Sequence, residues 1–174
     1  IFVGNPDATV TLMEFGEYEN EDCAKANEVV KRLLEEFEGK IKFQFRHFPL
    51  TKIHQRSMKA GEAAVAASQA GKFWEMHNIL FDNRRQLGTT SLKLYSKEAG
   101  VSNKHFLDDL INSTYGWQVR NDLNEGIERG VRDVPAFFVN GQLVSGKPTF
   151  ENLSKGIALA LKKSKKKAPA KQRA

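Results

Sequence analysis

Apolar and polar positions along the chain change period from segment to segment, and each change predicts an element. Val10-Thr11-Leu12-Met13-Glu14-Phe15 is a short, mostly apolar alternating run and reads as a buried strand. Asp22 to Phe37 places Ala26, Val29, Val30, Leu33, Leu34 and Phe37 on one helical face with charges opposite, and Gly39 ends the helix. Ile41-Lys42-Phe43-Gln44-Phe45-Arg46 returns to period two, and Pro49 closes that strand. A helical stretch follows. Met58 to Ala70 stops at Gly71, Phe73 to Phe81 carries its apolar residues at helical spacing, and Leu92 to Ala99 stops at Gly100. Ser102 is the expected N-cap of a segment bearing Phe106, Leu107, Leu110 and Ile111, and Trp117 to Ile127 makes a further helix. Strand character resumes at Ala136-Phe137-Phe138-Val139, turns at Asn140-Gly141 and returns through Gln142-Leu143-Val144, a strong hairpin pattern. A last helix sets Phe150, Leu153, Ile157 and Leu161 along one side.

The order is strand, helix, strand, a block of helices from about 51 to 126, hairpin, helix. A helix joining two strands implies a parallel pair, and the hairpin adds antiparallel strands. The expected fold is therefore α/β, a mixed sheet carrying a helical insertion. No internal repeat or dividing linker interrupts it.

Composition changes this picture little. The 174 residues suit one domain around one core, and 40% hydrophobic with 28% charged residues is ordinary for a globular protein. No apolar run approaches the roughly 20 residues of a membrane span. Ile1 is preceded by neither an initiator Met nor a basic leader, so the chain is read as a processed protein or an excised domain. The net charge of +6 is local: residues 162–174 hold seven Lys/Arg and no acid, and the rest is close to neutral. We expect a domain over 1–161 followed by a basic, disordered tail over 162–174 that has no specific nucleic acid as its partner.

Candidate chemistry centres on Cys23, the one cysteine, in the first turn of a predicted helix where N–H groups and the helix dipole favour a thiolate. One cysteine forms no internal disulfide and identifies no redox compartment. His47, His54, His77 and His105 are too scattered for metal-ligand spacing, and neither a phosphate loop nor a G-x-S-x-G pattern is present, so no metal or cofactor is expected.

Four motifs in order resemble the DsbA-like branch of the thioredoxin superfamily over about residues 3 to 161. They are Glu14-Phe15-Gly16-Glu17-Tyr18, Phe45-Arg46-His47-Phe48-Pro49-Leu50, Gly71-Lys72-Phe73-Trp74-Glu75-Met76-His77, and Gly130 to Gly141 with Val134-Pro135 inside it. The resemblance implies a thioredoxin-like sheet, a Cys-x-x-Cys pair at the helix start, a buried acid and a cis-proline loop that pairs with peptide. Residue by residue, the pair falls on Asn20-Glu21-Asp22-Cys23: Asn20 replaces the nucleophile and Cys23 matches the resolving thiol. The buried acid falls on Glu14, and the cis-proline loop on Val134 and Pro135.

Three readings stay open. The first is a domain that has lost dithiol chemistry and is kept for peptide or protein binding. The second is a monothiol or glutathione-dependent oxidoreductase working through Cys23. The third concerns partners, because the domain also resembles those fused to NhaA-type sodium/proton antiporters. Localisation follows the same fork: exported if a signal peptide precedes Ile1, at the cytoplasmic face if fused. Oligomeric state is not legible.

Overall fold

In the computed structural model the described residues are 1–171, with side chains through residue 166. Five strands, β1 (Val3–Gly4), β2 (Val10–Gly16), β3 (Ile41–His47), β4 (Ala136–Val139) and β5 (Gln142–Leu143), form one mixed sheet in the order β1-β3-β2-β4-β5. The helices are α1 (Glu21–Glu36), α2 (Ser57–Gln69), α3 (Phe73–Asp82), α4 (Thr89–Glu98), α5 (Phe106–Ile111), α6 (Gly116–Glu128) and α7 (Phe150–Lys171). This is the expected thioredoxin-like fold, with α2 to α6 inserted between β3 and β4. The chain clusters into two compact units.

The first unit comprises Ile1–Glu14, Glu28–Phe45 and the chain from Ala136 onward. Period-two burial along β2 and β3 puts Val10, Leu12, Ile41 and Phe43 inside, and the apolar face of α1 adds Val30 and Leu33. Burying one such side chain contributes roughly 1.5–3 kcal/mol. The β4–β5 hairpin turns where the sequence predicts. Asn140 and Gly141 both take positive φ, 48° and 83°, as a two-residue turn matching strand twist demands. Asn140 also accepts the Thr11 N–H at 2.8 Å and donates its own backbone N–H to the Thr11 carbonyl at 3.0 Å, fastening the turn to β2. Leu153 and Ile157 of α7 are buried, and α7 packs on β4.

The second unit comprises Phe15–Asn27 and Arg46–Pro135. Its centre is α2, whose Ala60, Ala63, Ala64 and Ala67 are fully buried; small side chains let α3, α4, α5 and α6 all pack against it. Gly126 of α6 is a close approach: a Cβ there would lie 2.6 and 2.8 Å from the ring of Phe48 and 3.0 Å from Phe15.

Three details differ from expectation. Ser102 does not cap α5: His105 stands at the N-cap, and Asn103 organises the turn before it by accepting the His105 N–H at 2.9 Å. A side-chain turn two residues long outcompetes a cap placed three residues too early. The two-residue edge strand β1 pairs antiparallel with β3, Val3 opposite Phe43, and is too short to show a period. The last helix, expected as far as Leu161, continues to Lys171 through residues that are mostly good helix formers; residues 172–174 of the basic segment lie outside the described residues.

Candidate functional site

The site is built from the start of α1 and the loop before it. Asn20 precedes the helix, and its side-chain Oδ1 accepts the Cys23 backbone N–H at 2.9 Å, while its carbonyl accepts the Ala24 N–H at 3.1 Å. These are the two bonds of an N-cap, and Asn is among the best residues for it. Glu21 and Asp22 fill the first turn with negative charge, which the helix dipole favours. Both are exposed; Glu21 lies 3.5 Å from Lys25 and 4.0 Å from Arg84. Cys23 is completely buried. Its thiol is therefore shielded from solvent.

Behind this turn, the second unit holds polar pairs whose members are far apart in sequence. Tyr18, fully buried, hydrogen-bonds through its hydroxyl to His77 Nδ1 at 2.7 Å, and His77 stacks on Trp74 with ring centroids 5.4 Å apart. Phe81 and His47 close the same aromatic cluster, 4.8 and 6.0 Å from the Tyr18 ring. Glu17 is buried, accepts the Glu19 N–H at 2.7 Å, and meets His54 Nδ1 with its other oxygen. Burial pushes the Glu17 carboxyl up, and the His54 hydrogen bond opposes that shift. Burial pulls His47 down to about 4, so its imidazole is neutral; its backbone N–H donates to Asp122, which Arg46 also contacts at 3.2 Å.

The residues read from the sequence are placed as follows. Asn20 and Cys23 are brought together by the capping bond. The Val134–Pro135 peptide bond is cis, as the resemblance implies, and both residues belong to the second unit with Cys23. Glu14 lies in β2 within the first unit, wholly buried, and neither carboxyl oxygen has a hydrogen-bond partner among the described residues. Desolvation by burial raises its pKa well above 4.5. Sequence reasoning missed Tyr18–His77 and Glu17–His54 as pairs. The signal available was limited to Glu17 and Tyr18 in one quoted motif and His77 in another, the last on the apolar face of a predicted helix; His54 lies in none of the motifs. Among the described residues, no group of three or more His, Cys, Asp and Glu is placed to hold a metal ion.

Comparisons with known proteins agree with this architecture. A family model described as Thioredoxin matches residues 1–158. The chain is similar to the Na(+)/H(+) antiporter NhaA 1 of Salinispora arenicola, 32% identical over 157 residues, covering 90% of this chain and 24% of that protein. The Na(+)/H(+) antiporter NhaA of Herminiimonas arsenicoxydans is 29% identical over 143 residues, 82% of this chain and 22% of that protein. The chain thus spans about a quarter of the length of the curated relatives it matches. Among solved structures, BdbD from Bacillus subtilis (oxidised) superimposes with a TM-score of 0.84 at 23% identity, covering 92% of each chain. A thioredoxin-like oxidoreductase from Silicibacter pomeroyi gives 0.82 at 24%, covering 93% of this chain and 92% of that one. The chain belongs to the thioredoxin family and carries a DsbA-like fold in which a single cysteine, Cys23, stands where the Cys-x-x-Cys motif has two.

Proposed function

We propose that this chain is a DsbA-like domain without dithiol oxidoreductase activity, retained to bind an extended peptide or protein segment beside Val134 and Pro135. The observation that carries the reading is the Asn20 side chain, used as a helix cap on the Cys23 N–H at the position of the nucleophile. Disulfide exchange begins with thiolate attack and ends when a second thiol resolves the mixed disulfide. An amide side chain supplies neither step. The monothiol and glutathione-dependent readings need Cys23 itself to attack, and a completely buried thiol followed by no second cysteine is ill suited to that.

Similarity to part of proteins named as sodium/proton antiporters supports a second element of the proposal: the domain serves as an accessory part of a membrane transporter polypeptide. Among the described residues no helix is long and apolar enough to cross a membrane, so any such span would have to come from another segment. The location follows from what is encoded beside residue 1: membrane spans put the domain at the bilayer face, and a signal peptide puts it outside the cytoplasm.

The experiment is an insulin-reduction and substrate-oxidation assay on the unaltered chain, run beside an intact Cys-x-x-Cys enzyme, with binding of a labelled extended polypeptide measured in parallel. The expected result is background turnover with measurable binding. Turnover comparable to the intact enzyme overturns the loss of dithiol chemistry, and absence of polypeptide binding overturns the retained role.

A further inference from the structure

The outer face of α7 has no part in the chemistry above. At 3.6 residues per turn, Lys155, Leu159, Lys163 and Lys166 fall within about 80° of arc, with Lys162 at its edge. The opposite face carries Leu153, Ile157 and Ala160, all buried. Leu159 is 56% exposed at the middle of the lysine row. Beside it, β5 presents Leu143, 61% exposed. A cavity of about 510 Å³ runs between them, lined by Leu143, Val144, Gly156, Leu159, Ala160 and Lys163. A Cβ at Gly156 would meet Val139 and Val144 at ordinary contact distance, 3.7 and 3.8 Å.

The charge on this face is uncompensated toward its end. Lys155 pairs with Glu151 at 3.2 Å, and Lys165 turns to a shallower pocket that it shares with Asp7. Among the described residues no carboxylate lies within ion-pair distance of Lys162, Lys163 or Lys166. In the sequence, Glu151 is the last acid, and Lys167, Lys171 and Arg173 follow. Two exposed leucines amid lysines, on a helix packed against a hairpin, have the chemistry of an interfacial contact: lysines attract anionic headgroups, and leucines enter the headgroup–acyl boundary. Nucleic acid fits the same charge but not the leucines, and the face offers no aromatic ring for bases to stack on.

The geometry points to a peripheral docking surface for an anionic lipid bilayer, formed by Leu143 of β5 with Leu159, Lys162, Lys163 and Lys166 of α7. It is independent of the fate of the dithiol site.

The test is co-sedimentation of the full chain with phosphatidylcholine vesicles, with and without phosphatidylglycerol. The expected result is binding only to the anionic vesicles. A Lys163→Ala/Lys166→Ala chain should bind roughly 25-fold more weakly, because each lysine near an anionic surface contributes a factor of roughly five. A Leu143→Ser/Leu159→Ser chain should also bind more weakly, and its deficit should persist at high salt, where the lysine contribution is screened. Circular dichroism melting of both variants, whose changed residues are all exposed, should match the unaltered chain. Equal affinity for neutral and anionic vesicles, no binding to either, or full binding by the leucine variant overturns the proposal. Duplex DNA that displaces the protein from anionic vesicles, and binds the leucine variant as well as the unaltered chain, also overturns it and reassigns the lysines to nucleic acid.

Discussion

Asn20 holds the start of α1 through a bond that a thiol makes poorly, since sulfur is a weak acceptor. Under the proposed reading, the residue that takes the nucleophile's place therefore stabilises the helix end. Asn20→Ala should lower stability by about 1 kcal/mol, and Asn20→Ser should retain most of it, both measured by urea unfolding. An alanine chain as stable as the unaltered one contradicts the capping role. Glu14 and His47 make opposite demands on pH. The folded-state pKa of Glu14 lies above 4.5, so its burial costs least below that pH and more as pH rises toward the folded value. Glu14→Gln should thus gain stability over the unaltered chain at neutral pH, with the gain shrinking as pH falls toward 4.5 and levelling off below it; a gain independent of pH contradicts the raised pKa. For His47 the folded value, about 4, lies below the ordinary 6.5, so the unfolded chain binds the extra proton between them and stability falls as pH drops through that window. The full loss is roughly 3 kcal/mol at about 1.4 kcal/mol per unit. An NMR titration of the His47 ring should have its midpoint near 4, and a midpoint near 6.5 refutes the burial account.

At the scale of elements, α6 meets Phe15 and Phe48 at Gly126 with no room for a methyl group. Alanine would gain about 1 kcal/mol in helix propensity and lose about 1–3 kcal/mol to overpacking between two rings. Gly126→Ala should therefore lower the melting temperature by a few degrees, and a higher melting temperature would show that the rings give way. Elements with a local cause were legible in the sequence. The Asn140-Gly141 turn follows from two residues that tolerate positive φ, and α1 and β3 follow from their periods. What was not legible depended on partners distant along the chain. Tyr18 and His77 are 59 residues apart, and Glu17 and His54 are 37 apart, so no window of sequence contains either pair. The α5 cap was misplaced for a different reason: Ser102 and Asn103 compete for the same turn, and propensity alone ranks them nearly equal. The strand β1, two residues long, has a partner but no pattern.

For the molecule as a whole, the motifs that carry the thioredoxin-like fold remain while one position of its chemistry is changed. The capped helix start, the buried acid in β2 and the Val134–Pro135 cis peptide are all present, and under the proposed reading Asn20 takes the nucleophile's position. If that position alone removed the dithiol cycle, restoring it should restore the first covalent event. The direct measurement is thiol counting and mass analysis of the Asn20→Cys chain after mild oxidation with oxidised glutathione. The two cysteine thiols lose two protons and two electrons to form one internal disulfide, and glutathione disulfide takes up both to give two molecules of glutathione. The account predicts complete conversion to the internal disulfide, with activity above the unaltered chain yet limited because Glu21 and Asp22, standing between the two thiols, still disfavour a thiolate. A variant that keeps both thiols, or stops at a stable mixed disulfide with glutathione, would contradict it, showing that the geometry of the site has changed along with its chemistry.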